Sequence, residues 1–311
     1  MKNKILVIRG GAIGDFILTL PVFQALRSQF MESEIHVLGY PKIAGLSLLT
    51  GHVDAVHPIE AREMAGFFAR NGTLDKNLMG FFDEYGLIIS YLFDPDEIFQ
   101  TNVGRATKAQ FIVGRHRPLE SADDHATSVF LQALEKVAVF GADPEPRLDK
   151  IRTMPGASNA FNQPVIAFHP GSGSATKNWP EANWAVLIQS LVAETDFHFL
   201  AVGGEAEADR YSRLTKLIPG ERLDQAFSVP LNDLAGRLSG CHGFIGHDSG
   251  ISHLAAAVGL PGVLIWPSTN PKIWAPVSRQ FRIIHSNNSN DQGIDSIAPT
   301  DVFSAAIQHF Q

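Results

Sequence analysis

Apolar residues in this chain occur in two alternating textures: short unbroken runs, and longer stretches in which they recur every three or four positions. The first is how a strand buried on both faces reads, and the second is the stripe of an amphipathic helix. Lys4 to Arg9 is such a run, Gly10-Gly11-Ala12-Ile13-Gly14-Asp15 turns into a periodic helix ending near Phe30, and Glu34 to Gly39 is a second strand. Strand, glycine-rich turn, helix and strand make a right-handed βαβ unit, which predicts a parallel sheet. Leu87 to Leu92 and Ala109 to Gly114 add strands to it.

The stretch from Pro144 to Pro164 holds four prolines and no apolar period, which marks a linker. Beyond it the α/β rhythm restarts. Strands are predicted at Pro164 to His169, Phe197 to Gly203, Gly243 to Gly246 and Gly262 to Trp266; helices at Asn183 to Thr195, Ala206 to Leu217, Leu231 to Leu238 and Ile251 to Val258. This is a second doubly wound domain, and the division expected is 1–155 and 156–311. Thr300-Asp301 can cap a last helix from Val302 to His309.

Length agrees with two domains: 311 residues exceed one typical compact domain of roughly 150. With 45% hydrophobic and 18% charged residues, each half can bury a core. A net charge of −7 argues against nucleic acid as a partner. Cys241 is the single cysteine, which excludes an internal disulfide framework and a cysteine-based metal site. The apolar run from Ile5 to Ile8 is cut by Arg9, short of the ~7 residues of a secretory core, and no later run approaches the ~20 of a membrane span. A cytoplasmic protein is expected.

Candidate chemistry gathers where strands end. Phe244-Ile245-Gly246-His247-Asp248-Ser249-Gly250-Ile251-Ser252-His253 runs from a strand into a helix whose start near Ser249 exposes free N–H groups and the positive dipole end, suited to phosphate. His169-Pro170-Gly171-Ser172-Gly173-Ser174, with Thr176 and Lys177 after it, has small residues that let backbone approach oxygen, hydroxyls that can donate, and a point charge. Two anion loops in one half of the chain point to a ligand with more than one phosphate, and a nucleotide diphosphate compound fits. Glu205, after Gly203-Gly204, emerges at the same sheet edge, where it can accept hydrogen bonds from sugar or ribose hydroxyls. Asp15 falls in the first turn of a helix at the end of the first strand, where open α/β sheets bind ligands; a capping role is its plain alternative.

Several familiar patterns are missing. Gly10 to Asp15 lacks the Gly-x-Gly-x-x-Gly spacing, and the second strand ends in Gly39 and Tyr40 with no acid for an NAD ribose. No lysine-hydroxyl pair follows the phosphate-loop glycines, so it is no Walker A. Asp94-Pro95-Asp96 has the spacing of metal-dependent sugar transferases but reads better as an acidic loop, and no His-Glu-x-x-His run exists. No metal is expected. The Phe67-Phe68 and Phe81-Phe82 pairs read as core, with an exposed patch for a lipid-linked acceptor as the alternative.

Four blocks together resemble glycosyltransferase family 9, the heptosyltransferases of the lipopolysaccharide inner core: Val7-Ile8-Arg9 with Ile13-Gly14-Asp15; His169-Pro170-Gly171 with Lys177-Asn178-Trp179-Pro180; Asp248-Ser249-Gly250 with His253-Leu254-Ala255-Ala256-Ala257; and Trp266-Pro267-Ser268-Thr269-Asn270-Pro271 with Pro276. The resemblance covers nearly the whole chain. It implies an α/β GT-B fold, two Rossmann-like domains facing across a cleft with the acceptor on the first and the nucleotide sugar on the second, and a last helix that often returns to the first domain. It implies an inverting transferase moving a heptose from ADP-heptose to a lipopolysaccharide-core or related glycan acceptor, without a metal or other cofactor. By position, Asp15 resembles the general base, Lys177 the residue neutralising the diphosphate, Glu205 a ribose contact and Asp248 a contact to the donor sugar. Gly171, Ser172, Gly173, Ser174, Thr176, Ser249, Gly250 and His253 resemble the phosphate-binding positions. Val229 falls near the adenine position, and Arg9, Gly10 and Gly11 near the acceptor. Gly10-Gly11 departs from the hydroxyl or bulkier residues usual there.

In such a reaction Asp15 takes the proton of a sugar hydroxyl as it attacks the anomeric carbon and the diphosphate leaves. A monomer is expected, with peripheral contact at the inner membrane when the acceptor is lipid-linked. Two other readings remain at this point: a non-hydrolysing nucleotide-sugar epimerase of the same shape, and a non-catalytic nucleotide-sugar-binding protein.

Overall fold

Lys4–Arg9 (β1) is apolar on both faces because it runs through the middle of a parallel sheet; Leu6, Val7 and Ile8 are wholly buried. The structure is a computed structural model describing residues 3–153, 163–174, 177–266, 269–285 and 293–311. It divides into two compact units, Met1–Pro146 and Arg147–Gln311. The second begins just ahead of Leu148 and Ile151, both buried, and the Leu148 N–H donates to the Ala257 carbonyl at 2.9 Å. That apolar pair anchors the early part of the proline-rich stretch to the second core, so the second unit begins at Arg147, earlier in the chain than the expected 156.

In the first unit β1 is followed by α1 (Ile13–Ile17), α2 (Leu20–Gln29), β2 (Glu34–Gly39), α3 (Pro41–Ala44), β3 (Ala55–Pro58), α4 (Lys76–Asp83), β4 (Leu87–Ser90), α5 (Ile98–Ala106), β5 (Gln110–Val113) and α6 (Ala126–Leu131). The strands pair in parallel in the order β3-β2-β1-β4-β5. The single helix expected as far as Phe30 is two, because Pro21 cannot donate to the carbonyl one turn back and its ring crowds it. The Thr19 hydroxyl instead donates to the Asp15 carbonyl at 2.9 Å.

The second unit contains β6 (Val165–Phe168), α7 (Glu181–Glu194), β7 (His198–Gly203), α8 (Ala208–Thr215), β8 (Leu223–Phe227), α9 (Leu231–Ser239), β9 (Gly243–His247), α10 (Gly250–Ala257), β10 (Gly262–Ile265), α11 (Pro271–Trp274), β11 (Phe281–Ile284) and α12 (Pro299–Phe310). Its parallel order is β8-β7-β6-β9-β10-β11. The last helix, α12, buries Val302, Ala305 and Ala306 in the core of this unit together with Trp179, Trp184 and Ile265. A Cβ on Gly243 would come 2.6 Å from the Phe310 ring, so a side chain there would have to displace that ring from the strand.

In both sheets the strand order reverses beside the first strand of the unit: between β1 and β4, and between β6 and β9. A crevice opens at the carboxyl ends of such strands, because successive connections leave in opposite directions. Gly10 to Asp15 occupies one of these positions; His169 to Ser174, Lys177 and Asp248 to Gly250 occupy the other.

Candidate active site

The loop after β6 continues its ladder for one residue, with His169 N–H on the Ile245 carbonyl at 3.0 Å, and then turns away at Pro170 and Gly171. A Cβ on Gly171 would lie 2.1 Å from Cγ of Glu207, so no other residue lets that side chain close over the loop. Arg210 holds the next carbonyl, its Nη1 donating to Pro170 O at 2.9 Å. The Ser172 hydroxyl, expected to face a phosphate, lies 2.7 Å from Ser174 O and 2.9 Å from Asn178 Oδ1. With one proton and two inward acceptors, Ser172 shapes the loop. Gly173 stands open to solvent with nothing near its Cβ direction. Thr176 lies outside the described residues, as do Pro267 and Ser268 of the fourth motif.

His247, the last residue of β9, organises this loop. It is fully buried; its Nδ1 faces Gly171 O at 3.3 Å, and its Nε2 accepts from the Trp179 backbone N–H and from Trp184 Nε1, both at 3.2 Å. A carbonyl can only accept, so Nδ1 carries the proton and Nε2 offers its lone pair. Burial pushes the His247 pKa down to about 3 and that of His169 down to about 4, which keeps both rings neutral. The neutral ring with one donor and one acceptor is the state this geometry needs.

Past His247 the chain enters α10. Ser249 is its N-cap, the side-chain oxygen accepting from Ser252 N–H at 3.4 Å, and the Ser252 hydroxyl donates to the His247 carbonyl. Asp248, 8% exposed, accepts from Lys177 Nζ at 2.6 Å and from the Thr269 hydroxyl at 2.9 Å, both on Oδ2. Lys177, Asp248, Ser249 and Gly250 thus meet at the reversal point, joined by Thr269, which sequence reasoning left without a role. His253 is buried one turn further on. The amides at the start of α10 and the Lys177 ammonium, here paired with Asp248, are the groups at this edge able to meet an anion.

Two further expected donor residues lie at the same strand ends. Glu205 is exposed in the turn after β7, and the carboxylate that touches the phosphate loop is Glu207, which also accepts from Gly204 N–H at 3.2 Å. The spacing Gly204-Glu205-Ala206-Glu207 is that of a capping pair, a signal that would have separated the two acids. Val229 is half-buried between β8 and α9.

In the first unit Asp15 is half-buried in the first turn of α1, its carboxylate beside Gly11, whose φ of +100° suits glycine alone. Arg9 is placed differently from expectation. It is 3% exposed, and its guanidinium donates to the carbonyls of His116 at 2.9 Å, Asp15 at 3.2 Å and Tyr91 at 3.4 Å, with its Cζ 4.6 Å from the Phe130 ring centre. Arg9 therefore supports the ends of β1, β4 and β5 from inside, while Gly10 is half-buried and Gly11 exposed.

The acidic loop has structural work. Asp94 accepts from the Phe99 and Gln100 N–H groups that begin α5, and Asp96 faces Arg70 at 3.6 Å. Phe67 and Phe82 are core, and Phe68 rests on Phe99. Burial raises the Cys241 thiol to about 12, which makes it a poor nucleophile. Among the described residues no helix is long and apolar enough to cross a membrane.

Residues 120–298 match the family model described as glycosyltransferase family 9 (heptosyltransferase). Lipopolysaccharide heptosyltransferase 1 of Pseudomonas aeruginosa is 32% identical over 160 residues, which are 49% of this chain and 41% of that protein. The chain spans about half the length of the curated relatives it matches. Solved structures share the fold along the whole chain. A family 9 glycosyl transferase from Veillonella parvula gives a TM-score of 0.78 at 17% identity, covering 99% of this chain and 97% of its own. The E. coli heptosyltransferase WaaC with ADP gives 0.77 at 16%, covering 98% and 99%. The two parallel α/β sheets that the resemblance implies are those observed, and the fold is shared with these solved transferases.

Proposed function

The chain belongs to glycosyltransferase family 9, and from that premise we propose that it is an inverting sugar transferase using ADP-heptose as donor and a lipopolysaccharide-core or related glycan as acceptor. The observation that carries this reading is the second unit's reversal point. There Lys177, Asp248 and the start of α10 stand beside a glycine loop braced by His247 and Arg210.

The chemistry follows from these residues. Lys177 and the α10 amides face negative charge, so they bind the diphosphate and stabilise it further as it leaves. Asp248 holds the ammonium in position until a phosphate competes for it, and its carboxylate can then accept hydroxyls of the donor sugar. Asp15 takes the proton from the attacking hydroxyl of the acceptor, help typically worth ~10² to 10⁴ in rate. The chain's own cation and amides supply the positive charge that a metal ion supplies in other transferases. A lipid-linked acceptor would be met at the inner membrane surface by peripheral contact.

Thermal stabilisation by ADP, compared with UDP, GDP and NAD, tests the donor. At 100 times its dissociation constant a ligand stabilises by ~2.7 kcal/mol. A preference for ADP, followed by acceptor-dependent release of ADP from ADP-heptose, is the expected result. A response to NAD alone would remove the reading.

A further inference from the structure

Around Asp15 the first unit presents an aromatic surface that the donor chemistry does not use. Phe93, in the connection after β4, is 71% exposed, and Tyr40, directly after β2, is 44% exposed. Single exposed aromatics are common and need no explanation. Tyr40 and Leu92 meet around Gly10, and Phe93 is the next residue in the chain. The Tyr40 ring lies 3.7 Å and the Leu92 side chain 3.6 Å from where a Cβ on Gly10 would stand. The Phe93 ring in turn lies 4.7 Å from the ring of His116 at 52°, so the imidazole braces it from one side.

This brace and the carboxylate share one support. Arg9 donates through Nη1 to the His116 carbonyl at 2.9 Å and through Nη2 to the Asp15 carbonyl at 3.2 Å. The buried guanidinium thus ties the backbone beneath the aromatic ring to the backbone beneath the acid. Between them, Gly10 and Gly11 carry no side chain, and Leu92, Tyr40 and Phe93 are uncharged. Burial, with Arg9 and Arg117 adding to it, holds the His116 pKa below its usual range, so the brace is neutral as well. The nearby charges in sequence are Arg115 and Arg117, exposed on either side of His116, Asp94 directly after Phe93, and Lys42 two residues after Tyr40.

We propose that Phe93, braced by His116, is a stacking platform for a pyranose ring of the acceptor, with Tyr40 and the bare Gly10-Gly11 backbone completing the floor beside Asp15. The inference rests on the transferase reading and deepens it by naming what the acceptor presents: the C–H face of a sugar ring. A pyranose has axial C–H groups on one face and hydroxyls at its rim. A flat apolar ring beside a carboxylate suits both. Side chains at positions 10 and 11 would fill the floor, which accounts for the departure of Gly10-Gly11 from the family pattern.

Saturation-transfer NMR on the full chain tests this with methyl β-D-glucopyranoside, methyl α-D-mannopyranoside and the methyl glycoside of glucuronic acid as probes, with ADP stabilisation measured alongside. Saturation of ring C–H protons is expected, reduced about fivefold in Phe93→Leu and retained in Phe93→Trp, while ADP stabilisation stays unchanged in both. No saturation with the unaltered protein, or equal saturation in Phe93→Leu, overturns the platform. So does binding of the glucuronide alone that is abolished by Arg115→Gln with Arg117→Gln and untouched by Phe93→Leu. Absence of ADP stabilisation in the unaltered protein would instead count against the transferase reading, whatever the sugars show.

Discussion

Nδ1 of His247 lies 3.3 Å from the carbonyl oxygen of Gly171, and through that contact the end of β9 sets the shape of the loop that follows β6. Nε2 of the same ring accepts from Trp179 and Trp184, so one imidazole fastens both ends of the phosphate loop. Replacing His247 by Phe keeps an aromatic ring but leaves two buried donors without an acceptor. Each costs about 1–3 kcal/mol, so Phe should destabilise the fold by a few kcal/mol in urea unfolding and weaken ADP binding. His247→Gln, which retains an amide oxygen, should recover part of both. An unchanged ADP affinity in His247→Phe would show that the loop keeps its shape without the ring.

The two buried histidines also predict how stability depends on pH. Unfolded histidine titrates near 6.5, whereas in the fold His169 is pushed down to about 4 and His247 to about 3. Between these values the unfolded chain binds protons that the folded chain refuses. Stability from these groups is therefore full above about pH 6.5 and is lost as pH falls from there toward the folded values. Two such groups give a slope of up to about 3 kcal/mol per pH unit. Urea midpoints measured from pH 7 to 5 should fall, and His169→Asn should make the decline shallower.

Gly171 and Glu207 form a pair suited to a double-mutant cycle. A methyl group at position 171 meets Cγ of Glu207 at 2.1 Å, so Gly171→Ala must push that side chain away and with it the acceptor for Gly204 N–H. The single change should cost about 1–3 kcal/mol, as overpacking does. With Glu207→Ala already present it should cost much less. Additive effects would mean that the loop itself, not the glutamate, rejects the methyl group.

Lys177 and Asp248 make a charge-assisted contact of 2.6 Å. Lys177→Met removes the cation paired with Asp248, the same cation proposed to face the diphosphate. ADP affinity should fall roughly 10- to 100-fold, the equivalent of one hydrogen bond to a charged group. Isothermal titration with ADP and with adenosine separates the cause, since only the ligand carrying phosphate should be affected.

Asp15→Asn should leave ADP binding intact and lower kcat by ~10² or more if the carboxylate is the base. Arg9→Lys probes the support beneath it. Lysine cannot reach the carbonyls of Asp15, Tyr91 and His116 at once. Turnover should fall while ADP stabilisation remains, and a matching loss of ADP binding would point to general unfolding.

The sequence by itself determined the two parallel sheets, the strand-to-loop transitions that carry the site, and the start of α10 at Ser249. All of these depend on neighbours in the chain: an apolar run such as Val165–Phe168, or a serine three residues before a free amide. Edge strands β3, β8 and β11 were not legible in the same way. They are partly exposed and carry polar residues such as His57, Asp224 and Arg282, so the unbroken apolar texture is missing. Only the tertiary structure decided which polar groups face the ligand and which face inward. His247 meets partners 76, 68 and 63 residues away, and Arg9 bonds a carbonyl 107 residues away. Glu205 and Glu207 sit two positions apart on one short turn, and it is the approach of Gly171 from another strand that brings Glu207, not Glu205, against the loop. A pattern along the chain records what each residue can bond. Which bond it makes depends on what the fold brings to it.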